Sequence, residues 1–258
     1  MDFLRLHDCF HENLQLARAA VAASDPKAPV PSCPGWTVAD LARHLAEVYL
    51  HKADCVRLDA LPEPSPPGRI DPDPLTALDA AAAELERQFA THPPAHHAPT
   101  WYRPDQTVGF WMRRMAHETA IHRIDAELAA GIPITPIPAD LALDGIDEIL
   151  KLFIAYGSMT WREQLGELLD DPDRHRVLIT TEPTDRELAR AWTVAAHPDS
   201  VSAVDASPNE PDTALTVFGR PAAVLRWLWN RPEPDAVHIA GDPLLLVQFQ
   251  ALKHALTQ

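Results

Sequence analysis

Three polar residues stand where a helix would be expected to bury apolar ones. In VGFWMRRMAHETAIHRIDAELA, Trp111 and Met115 set a stripe at i, i+4 spacing, and continuing it brings Glu118, His122 and Asp125 to the same side. Ionisable groups buried without partners are costly, so such a stripe must be internally paired or hold a cation. Glu118 and His122 lie one turn apart and can ligate the same metal ion. His44, three residues after Leu41 and four before Val48, falls on the core-facing side of another helix and offers a further ligand. Two histidines and a carboxylate leave coordination positions open, which is the catalytic rather than the closed structural type of zinc site. The same donors suit non-haem Fe(II). Spacing alone also fits a plainer reading, because an i, i+4 Glu–His pair is commonly a solvated contact on a helix face.

Other candidates carry weaker signals. His7 and His11 are also four apart, and His7 shares a face with Phe3, Phe10 and Leu14, where it could line a pocket. His117 is rotated by about 100° from Glu118 on an ideal helix, which makes it a poor third ligand and at best a hydrogen-bond partner to one. His92, His96 and His97 sit among prolines and read as surface residues. Cys33 lies in a proline-rich turn with no evident base and reads as structural. Trp101 and Trp111 suit either core packing or a pocket wall, and Trp227 and Trp229 an anchoring role near the C-terminus.

The elements that must position these residues follow from periodicity and breakers. Asp2 to Ala23 repeats apolar residues at helical spacing and stops at SDPKAPVPSCPGW. Thr37-Val-Ala-Asp40 reads as a capping box opening a second helix to about Leu58. LPEPSPPGRIDPDP and THPPAHHAPTWYRPDQT are loops flanking a third helix near Leu75 to Ala90. A fourth helix, from about Val108 to Ala130, carries the polar stripe and ends at Gly131. A fifth, about Asp140 to Tyr156, completes a four-helix bundle with an added helix over residues 1–160. Beyond Trp161 the character changes. RVLITT, AWTVAAHP, VSAVD, ALTVFG and VHIAG are β-rich runs, RPAAVLRWLWNR and Pro243 to about Leu256 are helical, and residues 161–258 form a small α+β domain joined near 160–175.

Composition excludes several function classes. The 258 residues carry 22 Lys+Arg against 37 Asp+Glu, a formal net charge of -15, which repels phosphate backbones and anionic membranes. Nucleic acid and membrane partners are therefore not expected. Cys9, Cys33 and Cys55 are an odd, widely spaced set without a CxxC, which argues against a disulfide framework. The N-terminal stretch is not a signal peptide, no run reaches the length of a membrane span, and the expected location is the cytoplasm.

VPSCPGWTVADLARHLAEV (Val30 to Val48), together with FWMRRMAHETAIHRIDAE (Phe110 to Glu127), resembles the mycothiol-dependent maleylpyruvate isomerase family, within the wider DinB/YfiT-like superfamily of metal-binding bundles. ALTVFGRPAAVLRWLWNR resembles that family's sterol-carrier-like C-terminal domain, so the resemblance covers nearly the whole chain. It implies metal ligands at His44, Glu118 and His122, with Asp125 beside the metal as an acid/base or substrate-orienting residue. It further implies zinc and a small thiol, mycothiol, as cosubstrate. The thiol would add to an electrophilic small molecule, giving isomerisation or S-transfer. Arg220 is a weaker candidate for gripping an acidic substrate. A thiol-independent hydrolase or lyase on the same ligands, or a binding protein without turnover, are the alternatives.

Overall fold

The computed structural model describes residues 1–62, 71–161, 176–197 and 199–256. The chain divides into two compact units, Met1–Pro136 and Ile137–Gln258. In the first, α1 (Phe3–Ala23), α2 (Val38–Leu58), α3 (Pro74–Thr91) and α4 (Val108–Ala129) form the four-helix bundle, with α1 on α4, α3 on α2, and α2 also against α4. Asp2, Thr37, Asp73 and Thr107 cap the four helix starts by accepting a backbone N–H. At Thr37 the capping box is complete, since Asp40 Oδ2 also accepts the Thr37 N–H at 2.9 Å. The helix carrying the polar stripe, α4, is buried nearly all round, from Trp111 and Met115 to Ile124, Ala126 and Glu127.

The second unit opens with α5 (Ala139–Glu148), which runs through a π-helical stretch (Ile149–Tyr156) into α6 (Gly157–Thr160). The fifth helix, expected as an addition to the bundle, thus belongs to the C-terminal unit. Its allegiance has a physical basis. Trp192 Nε1 donates to Asp147 at 3.0 Å, the Ser158 hydroxyl accepts the Val201 N–H at 2.8 Å, and Phe153 meets the Trp229 ring edge-on at 5.1 Å. The division therefore falls at Pro136 and not near residue 160. Most of the expected joint at 160–175 lies outside the described residues.

Five strands then form one sheet in the order β3-β2-β1-β4-β5: β1 (Arg176–Thr181), β2 (Ala191–His197), β3 (Ser200–Ala206), β4 (Leu215–Gly219) and β5 (Val237–Gly241). Neighbours are antiparallel except β1 and β4, which run parallel with Ile179 opposite Val217. The central β1 is buried along almost its whole length, whereas edge strand β5 is largely exposed. Helices α7 (Pro221–Leu228) and α8 (Pro243–Leu256) complete the α+β unit. Gly241 has φ +126°, and a Cβ there would run into the Ala214 carbonyl, so only glycine fits where β5 closes on β4.

Candidate metal centre

The centre is assembled by two helices. α2 presents His44 and α4 presents Glu118 and His122, one turn apart, so their tips converge across the α2–α4 contact. Glu118 Oε1 lies 3.2 Å from His44 Nε2 and 3.3 Å from His122 Nε2. One ligand atom from each of the three residues lies within 4.8 Å of the others. Ligand atoms on a tetrahedral zinc, at about 2.0–2.2 Å from the ion, are themselves about 3.4 Å apart. The separations of 3.2 and 3.3 Å are close to that edge, so the donor set fits a single small cation. The side chains are 32% (His44), 16% (Glu118) and 12% (His122) exposed, which leaves the cluster reachable.

Each of the three side chains is held from behind. The Arg114 guanidinium pairs with Glu118 Oε2, leaving Oε1 to the histidines. The His122 Nδ1–H donates to Asp125 Oδ2 at 2.8 Å, which turns Nε2 toward Glu118. Trp36 packs against both imidazoles, its ring centre 4.8 Å from that of His44 and 6.2 Å from that of His122. Burial disfavours the charge on Glu118, but Arg114, His122 and hydrogen bonds from both histidines outweigh it and hold the carboxyl well below its usual range. Burial likewise disfavours His122 in its charged form. Glu118 and hydrogen bonding to Asp125, Cys33 and Glu118 overcome that and raise its pKa well above the ordinary value.

The structure brings His44, Glu118 and His122 together as the stripe predicts. Asp125 is near them but fully buried, with its carboxylate against the far nitrogen of His122. His7 is exposed, and His117 is buried elsewhere on the circumference of α4. His92 is half-buried, His96 and His97 are exposed, and Arg220 is exposed at the start of α7. Trp111 is core, donating from Nε1 to the Pro99 carbonyl at 3.1 Å, and Trp101 packs edge-on to Phe110 at 5.3 Å.

Sequence reasoning passed over Ser32, Trp36 and Arg114, and read Cys33 as structural without a partner for it. Ser32 Oγ and Cys33 Sγ both donate to Asp125, the latter at 3.5 Å. The available signal was the run PSCPGW itself, since two prolines and a glycine fix a backbone that can aim short polar side chains. Arg114, four residues before Glu118, was legible as an i, i+4 partner. Also along the α2–α4 contact, the Lys52 ammonium donates to His51 Nδ1 at 3.0 Å and lies 4.9 Å from the Trp111 ring centre. Burial lowers its pKa.

Comparison with known proteins agrees with this architecture. Residues 7–127 match the model of the mycothiol maleylpyruvate isomerase N-terminal domain, and residues 140–248 that family's C-terminal domain. No curated protein sequence matches the chain significantly. Among solved structures, a mycothiol-dependent maleylpyruvate isomerase superposes with a TM-score of 0.60, at 15% identity over 94% of this chain and 95% of the other. A point mutant of a mycothiol-dependent maleylpyruvate isomerase gives a TM-score of 0.62 at the same identity and coverage. At that identity the structural likeness is one of fold. The two domain models, adjacent and in order over most of the chain, place the protein in the mycothiol-dependent maleylpyruvate isomerase family.

Proposed function

We propose that this protein is a cytoplasmic enzyme in which His44, Glu118 and His122 hold a divalent metal, zinc before Fe(II), to activate a small thiol for addition to an electrophilic small molecule. The observation that carries this reading is the spacing of the three donors, with Glu118 Oε1 at 3.2 and 3.3 Å from two imidazole nitrogens. Family membership supports mycothiol as the thiol and an isomerisation as the outcome. When bound, such a cation lowers the pKa of a thiol sulfur and keeps it a thiolate at neutral pH without using a protein cysteine.

The chain's own residues supply the rest. Arg114 holds one Glu118 oxygen so that the other faces the histidines. Asp125, sealed from solvent, fixes the His122 ring. Trp36 packs against both imidazoles and shields them from water. Addition of the thiol to a conjugated double bond turns it into a single bond. Rotation and expulsion of the thiol then give cis–trans isomerisation, and release of the adduct gives S-transfer.

Elemental analysis of protein purified without chelator or polyhistidine tag tests the reading. About one zinc per chain is expected, lost in Glu118→Ala, with turnover of an enone or enoate only when a thiol is added. Iron instead of zinc redirects the search to oxygen chemistry. No metal after reconstitution overturns the mechanism.

A further inference from the structure

The loop before α2 reaches across the bundle to the metal centre without contributing one of its three ligands. Its backbone is a short, closed hairpin. The Val30 N–H donates to the Trp36 carbonyl at 2.9 Å, Cys33 N–H to Val30 at 3.1 Å, and Trp36 N–H to Cys33 at 3.0 Å. Pro31 and Pro34 fix φ on either side of Ser32 and Cys33, and Gly35 takes φ +84°, a region closed to most L-residues. Cys33 and Trp36 pack on a core cluster that includes Val30, Val38, Leu41 and Ala126. A loop tied down in this way can aim two short side chains, and both point at one carboxylate. Ser32 Oγ–H donates to Asp125 Oδ1, and Cys33 Sγ–H to Asp125 Oδ2 at 3.5 Å.

Asp125 in turn accepts the Nδ1–H of His122 at 2.8 Å. It is fully buried, so its two oxygens depend on protein donors for orientation and for the stability of their charge. Each loop donor fixes one oxygen of the carboxylate that holds the His122 ring, so losing both weakens that hold. We infer that Ser32 and Cys33 are positioning residues for the metal ligand His122, Ser32 acting through Asp125 and Cys33 both through Asp125 and by its own contact with the imidazole. This rests on the proposed ligand set. The loop donors lie 93 and 92 residues from Asp125 in sequence, so no local rule of helix geometry produces the contact.

The test is a chelator-competition titration with Zn(II) on the full chain, comparing wild type with Ser32→Ala, Cys33→Ala and the double variant, with thermal melts alongside. Removing a partner that orients a ligating histidine costs about 10–100-fold in metal affinity. The double variant, which keeps Asp125 but removes its loop donors, should fall toward the lower end of that range, with each single variant weakened less. Ser32→Thr and Cys33→Ser, which keep a donor, should stay within about three-fold of wild type. With Co(II) in the site, the exchangeable ring proton of His122 should exchange faster with water in the double variant. A role confined to loop packing would lower the melting temperature and leave affinity and proton exchange unchanged, which overturns the inference while the ligand set stands. Failure of wild type itself to bind Zn(II) or Co(II) overturns the ligand set and the inference together.

Discussion

Helix α4 carries two charged clusters five residues apart that have opposite characters. At Arg123 and Glu127 the charges close on each other: Arg123 donates to Glu127 at 2.6 Å, to the Thr135 carbonyl at 2.6 Å and to Asn13 at 3.0 Å. Glu127 also accepts the Thr135 hydroxyl and N–H, at 2.6 and 3.0 Å. This network is sealed, with Arg123 and Glu127 each 1% exposed, and it ties α1, α4 and the chain leaving the bundle. At Glu118 and His122 the tips instead converge on one another from two helices, remain partly exposed, and are braced from behind by Arg114 and Asp125. A buried charge whose partners surround it is a strut. One whose partners brace it from one side, with ligand atoms gathered on the other, is a socket.

The largest effect expected separates these two directly. Glu118→Ala should abolish stoichiometric metal binding and with it turnover, read by elemental analysis, whereas Glu127→Ala should retain the metal. A protein that keeps its zinc without Glu118 would break the distinction. Glu127→Ala should instead cost about 3–5 kcal/mol in denaturant unfolding, because it strands the Arg123 guanidinium in the core. A loss under about 1 kcal/mol would show that the strut is solvated and the comparison mistaken.

Lys253 extends the comparison to a buried charge in the second unit. Its Nζ donates to the Trp227 carbonyl at 2.6 Å and lies 4.0 Å from that residue's ring centre, and burial lowers its pKa from 10.5 to about 8. Between those values the unfolded chain binds more protons than the folded one, so stability should rise from about pH 8 to about 10.5. Below about pH 8 both states are protonated and the full penalty applies. The gain is up to about 3 kcal/mol, and Lys253→Met should flatten this part of the pH–stability curve. An unchanged slope would mean that the ammonium is not desolvated in the fold. The smallest effect belongs to Gly35. Its φ is +84° and no atom lies within 4 Å of a built Cβ, so Gly35→Ala should cost only the backbone strain, about 1 kcal/mol. A melt indistinguishable from wild type would show that the loop relaxes freely.

Much of this was legible from local pattern. The stripe through Trp111, Met115, Glu118 and His122, the capping box at Thr37, and five β-rich runs all appear in the structure where spacing placed them. What stayed hidden depends on contacts distant in sequence. Amphipathic spacing shows that α5 must bury a face but not against which neighbour, and Trp192, which holds Asp147, comes 45 residues later. The run PSCPGW signals a fixed backbone that can aim short side chains, but not that their target is Asp125, 93 and 92 residues away. Asp125 itself shared the stripe, but its bond to His122 Nδ1 could be seen only in the structure.

The span between the donors also bears on how the bundle folds. His44 and Glu118 are separated by 74 residues, and Ser32 and Asp125 by 93, so neither pairing can form inside a single helical hairpin. Closing loops of that length is an entropic cost incurred before native contacts offset it, which places the full ligand set among the later events of refolding. Uptake of a metal with a spectroscopic signature during refolding would then report completion of the whole N-terminal unit, while helix content rises earlier.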